Sequence, residues 1–419
     1  MVATVIDPEQ WQATYEAASL TRQYEMLLEV MAQPLSLDLI EELDLEMLVL
    51  TMRDELVNRH LFDQAIALIQ TVQQQQPSLH QQEFAVLDSF LVEYYLYCNH
   101  PQQVRAALQQ FLQYPAADID QTLAILDYLK FYNATSLAVE LSQVAYEAVQ
   151  ASANRVLGVE MQFSDVLLGN WMQQAHQQLK QGHSVDWNTF LAESVKYEFD
   201  KYEFGNKAQW IKELEQHLTR EVQNSPEFVA QFRHDRSEAL RTTSLGFCQY
   251  MAEEKQVSFI CSRALWESIY TFLEHRETSG TKLAQPESYF AFSLLELEIY
   301  VAQKIGALLS TQQSVGVAVL WGIPYVYDFL RSKQIISRDL HQQAIKSVAA
   351  LKTALINNYA HLWKYSFVHR WLPPDSVATA EFEAEKQCFA ASFERVVALD
   401  ATLDPLLNPL VAVYPSVYP

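Results

Sequence analysis

The chain has 419 residues, half of them hydrophobic and 12% aromatic, which exceeds one ordinary core and argues against intrinsic disorder. Its formal net charge of −22 repels phosphate backbones and anionic lipid surfaces, which sets nucleic acid aside as a partner. Cys98, Cys248, Cys261 and Cys388 form no Cys-x-x-Cys pair, so neither a zinc module nor a disulfide scaffold is expected.

Glycine is scarce: there are nine, and none precedes Gly158. Tight hairpins between strands need residues with φ > 0, so this stretch reads as helices rather than sheet. No proline falls between Pro115 and Pro226, so nothing there forces a helix to break. The acidity is uneven. Residues 1–182 hold 23 Asp and Glu against 7 Lys and Arg.

The N-terminus, from Met1 to Glu9, has no basic region and no apolar core and does not read as a signal peptide. A cytoplasmic location is expected. Asp7-Pro8-Glu9 reads as a helix start, and Pro34 ends the helix that follows.

From Leu48 a hairpin pattern sets in. Met52 and Leu56 fall on one helix, Phe62, Ala65, Ile69 and Val72 on the next, and Pro77 closes the unit. Leu91 and Tyr95, then Pro101, Val104, Leu108 and Phe111, repeat the pattern. Ile125 and Leu129, then Ala138 and Ala145, repeat it again. Val104 and Ala138 are 34 residues apart, whereas Ala65 and Val104 are 39 apart, which implies extra residues near Ser78–Gln82.

These residues, from about 48 to 150, resemble tetratricopeptide repeats. The usual Trp and Gly positions of that family are Val49 and Arg53 here. The resemblance implies an all-α, antiparallel helix-hairpin solenoid, stabilised by stacking of neighbouring units. It also implies a concave groove for partners. One groove position falls on Asp54, Glu93 and Asp127, and the next on Val57, Leu96 and Lys130, with Tyr97 beside them. A row of acids flanked by apolar side chains suits an extended basic protein or peptide segment.

Residues 152–180 read as a further helix or two, and the polar step at Gly182 marks the expected boundary. The expected domains are therefore a repeat domain, 1–182, and a second, aromatic-rich helical domain, 183–419. Helical periodicity covers 207–223, 226–254, 262–276, 286–309, 339–359 and 378–398. The apolar run from Val315 to Val326 is too short to span a bilayer and contains Pro324, so it reads as one buried helix or two short ones. Residues 404–419 hold four prolines among apolar residues and read as extended.

Chemical motifs are sparse. Glu213 and His217 sit four apart on a helix, without a matching second pair nearby. Glu267, Glu274 and His275 share one helix but lack the Glu-x-x-His of ferritin-like sites. No nucleophile elbow or phosphate-binding glycine loop is present. No catalytic, cofactor or metal residues are assigned. Two readings follow: a non-enzymatic scaffold or adaptor that binds a protein or peptide in an acidic groove, or a helical metal- or ligand-dependent enzyme with its site in the second domain.

Overall fold

The computed structural model describes residues 7–153, 157–198, 207–219, 221–277, 285–306 and 310–400, and no strand occurs among them. The expected extended end, 404–419, lies outside the described residues. By contact the chain divides into two units. The first comprises Met1–Gln113, Tyr359–Lys364 and Phe389–Pro419, and the second Tyr114–Asn358 and Tyr365–Cys388. The expected boundary at Gly182 therefore falls inside the second unit.

The first unit holds α1 (Pro8–Glu16), α2 (Leu20–Met31), α3 (Leu37–Glu42), α4 (Leu45–Asn58), α5 (Phe62–Gln75), α6 (Pro77–Tyr97), α7 (Pro101–Ala107) and α8 (Gln109–Gln113). Asp7, Ser19 and Ser36 cap α1, α2 and α3 by accepting backbone N–H bonds. Successive helices pack as hairpins: α4 on α5, α5 on α6 and α6 on α7. Met52, Leu56, Ala65, Ile69 and Val72, picked out by periodicity, are all buried. Pro77 both ends one unit and opens α6 at its first position, where its missing N–H costs nothing. The extra residues expected near Ser78–Gln82 are the first turns of this 21-residue helix.

A ring cluster closes the first unit. Phe62 stacks on Phe393 with centroids 4.8 Å apart and meets the edge of Trp363 at 5.0 Å. Tyr97 packs on the same two rings, at 4.2 Å from Phe393 and 5.6 Å from Trp363. The Arg59 side chain, buried at the end of α4, donates to the Ala398 carbonyl at 2.7 Å, and its own carbonyl accepts from Val397 N. Residues 359–364 and 389–398 thus complete a core that α4, α5 and α6 begin.

The second unit starts with α9 (Ile119–Phe131), α10 (Thr135–Ala151), α11 (Glu160–Lys180), α12 (Trp187–Lys196), α13 (Lys207–Thr219), α14 (Pro226–His234) and α15 (Arg236–Glu254). It continues with α16 (Phe259–Glu277), α17 (Pro286–Phe290), α18 (Leu294–Ile305), α19 (Ser310–Ser332), α20 (Arg338–Asn358) and the first part of α21 (Thr379–Glu394). The expected helix over 226–254 is broken at Asp235, whose carboxylate caps α15 by accepting from Glu238 N at 3.1 Å. Helix α11 packs on α16, which is why Gly182 separates no units. Several helices end on a left-handed residue that is not glycine, including Asn133, Gln256 and Gln334 in this unit. Asparagine tolerates that conformation best, so a glycine-poor chain can still stop its helices.

Helix α19 is the axis of this unit, packed by α9, α15, α16, α18 and α20. It is a single helix with Pro324 inside it, so the Leu320 carbonyl lacks its usual helical donor. Its central residues, from Val317 to Val326, are all buried, Trp321 included. Gly322 lets α16 approach: a Cβ there would come within 2.8 Å of Leu265 Cγ. Against this axis lies one buried ionic group. Glu385 accepts from Trp321 Nε1 at 2.8 Å and from Lys352 Nζ at 3.4 Å, with His369 Nε2 at 3.7 Å.

Repeated pairing of neighbouring helices is consistent with a generic helical-repeat architecture in an all-α chain. No described helix is long and apolar enough to cross a membrane.

Candidate functional site

The second unit contains a cleft of about 880 Å³ walled by α9, α11, α13, α15 and α16. Its apolar lining includes Phe131, Val166, Met172, Leu245 and Trp266, all buried. Gly169 on α11 brings that helix close to α16, since a Cβ there would lie 3.3 Å from Ile260 Cγ1. The recess is thus a product of helix packing.

Its charged lining is mixed and net acidic. Six carboxylates line it, from Asp127, Asp165, Glu213, Asp235, Glu238 and Glu267, against three permanent cations, Lys130, Arg241 and Arg263. Asp127 pairs with Lys130 one turn on at 2.5 Å, and Asp165 with Arg263 at 2.8 Å. His217 uses both ring nitrogens: Nε2 faces Glu238 at 2.8 Å and Nδ1 faces Thr242 Oγ1 at 3.2 Å. Burial lowers the pKa of His217, although Glu238 opposes the shift. Arg241 pairs with Glu238 and reaches Glu213 at 4.0 Å. Glu267 is open to water yet lies on a concave wall. Loss of hydration there, helped by the charge of Asp165, raises its carboxyl pKa.

Asp127 and Lys130, expected from the sequence to line a groove, are therefore on this wall, together with Glu213 and His217. The other expected groove residues belong to the first unit. There Asp54 is exposed beside Arg53, at 2.7 Å. Glu93 is buried and faces Lys364 at 3.7 Å. Val57 and Leu96 are buried, and Tyr97 packs on Trp363 and Phe393. On that side of the first unit, the chain's own residues 359–364 and 389–398 take up the aromatic and carboxylate contacts that an incoming segment would use. Asp165, Glu238, Arg241 and Arg263 are not singled out by the sequence. Glu238 and Arg241 are a turn apart on α15, and only tertiary packing brings them beside Asp165 of α11 and Arg263 of α16.

Among the described residues no three of His, Cys, Asp and Glu are grouped so as to hold a metal ion. Glu274 accepts from Tyr289 Oη at 2.7 Å. No family model matches this chain, and neither does any curated protein or solved structure.

Proposed function

We propose that this chain is a non-enzymatic scaffold or adaptor of the cytoplasm that takes a basic protein segment into the acidic cleft of its second unit. The observation that carries this reading is the twofold excess of carboxylates over cations around a floor of Phe131, Met172 and Trp266. Buried apolar contacts supply affinity, while the carboxylates steer and select a cationic partner. The pairings of Asp127 with Lys130 and of Asp165 with Arg263 can be exchanged for cations of a partner, because the acids outnumber them. In the same reading the hairpins α4–α5, α6–α7 and α9–α10 are tetratricopeptide-like, as their spacing and buried key residues support.

The test is a titration of the full chain with a fluorescent peptide rich in Lys, Arg and aromatic residues, and with its Glu-substituted counterpart. The basic peptide binds and the acidic one does not. Changing Asp127, Asp165 and Glu267 together to their amides weakens binding by roughly tenfold, and less at high salt, since exposed pairs contribute about 0.2–1 kcal/mol each. Equal binding of both peptides, or an unaffected triple variant, removes the cleft from consideration.

A further inference from the structure

A second cavity of the second unit, about 560 Å³, is bounded by α19, α20 and the chain leading into α21. Its lining runs against the charge of the molecule, whose net value is −22. Arg331 at the end of α19 and Arg338, Lys346 and Lys352 on α20 reach it, and Glu381 is its lone lining carboxylate. The α20 residues that line it recur every three or four positions, so one stripe of the helix faces the cavity. Lys352 is buried, whereas Arg331, Arg338 and Lys346 are exposed.

The acids behind this wall are engaged elsewhere. Asp328 accepts from His341 Nε2 at 2.7 Å and from Ser376 N and Oγ at 3.0 and 3.1 Å. Glu385 is held by Trp321 and Lys352. Arg331, Arg338 and Lys346 have no carboxylate partner among the described residues. Three exposed like charges facing a single carboxylate, Glu381, repel one another and are stabilised by an anion. The rest of the wall is mixed, with Pro324, Ile345, Val348, Ala349 and Val377 apolar and His341, Gln342 and Ser376 polar. A pocket of this size and mixed character suits a small molecule with one charged end.

We propose that this cavity binds a small organic phosphate, with the dianionic group among Arg331, Arg338 and Lys346 and the apolar body against Ile345, Val348 and Val377. Two guanidinium forks offer the paired N–H donors that phosphate oxygens accept, and three cations match a dianion better than a single carboxylate. This site is separate from the acidic cleft in lining and in the sign of its charge, and it stands whether or not the cleft binds a basic segment.

Isothermal titration calorimetry of the full chain with phenyl phosphate, inorganic phosphate, benzoate and phenol tests the assignment. Phenyl phosphate binds, inorganic phosphate and benzoate bind roughly tenfold more weakly, and phenol does not bind. The triple variant R331Q/R338Q/K346Q, built at exposed positions, keeps the helical circular dichroism of the parent. It binds phenyl phosphate roughly 30-fold more weakly, through the loss of charge-assisted hydrogen bonds. E381Q binds it roughly threefold more tightly, because a repelling charge is gone. The proposal is overturned if phenyl phosphate binds no better than phenol, if parent and triple variant bind it equally, or if benzoate matches it.

Discussion

Glu385 illustrates how a buried charge is kept. Burial alone raises its carboxyl pKa, but His369, Lys352 and Trp321 together bring it below the usual value. Lys352, almost fully enclosed, is lowered chiefly by burial and is held charged by Glu385. Glu385→Ala leaves that ammonium buried without its partner, and the expected loss is about 3–5 kcal/mol, read as a shift of the urea midpoint. A loss under about 1 kcal/mol would show that Lys352 reaches water once its partner is gone. The first unit contains a contrasting pair. His60 Nε2 and His361 Nδ1 lie 3.2 Å apart. Burial, with the positive charges of Lys364 and Arg395 nearby, depresses their pKa values to about 4 and about 3. Both rings are therefore neutral in the folded chain at pH values where the unfolded chain, with an ordinary histidine pKa of about 6.5, binds protons. Their contribution to stability is complete above about pH 6.5 and is lost as pH falls through about 4, at up to about 1.4 kcal/mol per pH unit for each ring. Urea midpoints at pH 7.5, 6 and 5 should fall in that order. The slope should flatten in a His60→Gln/His361→Gln variant.

The helices carry the clearest information at the next scale. Apolar periodicity marks the buried positions of α4 to α10, because a helix with one packed face writes that face into its sequence every three or four residues. The same signal locates α13, α16, α20 and α21 to within a few residues, whereas the expected helix over 286–309 is broken between α17 and α18. It misses the break at Asp235, although Asp235 followed by Glu238 is itself a helix-start signal. The run around Pro324 reads from sequence as one helix or two, and packing on all sides keeps it as one. The candidate cleft is legible only in pieces. Asp127 with Lys130 and Glu213 with His217 each stand out on their own helix, but nothing local says that α9 and α13 border one recess. Helix approach also rests on single residues. Gly322 of α19 faces Leu265 and Ile269 of α16, and adding a Cβ forces those side chains to shift. Gly322→Ala should cost about 1–3 kcal/mol despite its better helix propensity, as measured by chemical denaturation. A stabilised variant would mean that α16 moves aside freely.

For the whole chain, the composition of the first unit matters most. Periodicity within α4, α5 and α6 cannot reveal that Trp363 and Phe393 finish their core, because that pairing is long-range and leaves no repeat in the sequence. For this reason the boundary suggested at Gly182 differs from the units found. A chain stopped after Cys388 lacks Phe393 and the Ala398 carbonyl that Arg59 donates to. Phe393 is half-buried, so the loss of its ring costs less than the roughly 3–5 kcal/mol of a fully buried one. The truncated chain should therefore bind a hydrophobic dye and be cut by protease within residues 45–97, while parent protein resists both. Resistance of the truncated chain would show that α4 to α6 hold together by themselves.

The same arrangement has a consequence for synthesis on the ribosome. Helices α4 to α6 emerge early, yet Phe393 lies 280 residues beyond Gln113. At about 5–20 residues per second, the wait is roughly 15–60 s. During that interval the second unit's 114–358 segment is made, while Phe62, Tyr94 and Tyr97 lack the rings that finally cover them. The first unit to begin is thus among the last to be finished, its core waiting for residues 359–364 and 389–398.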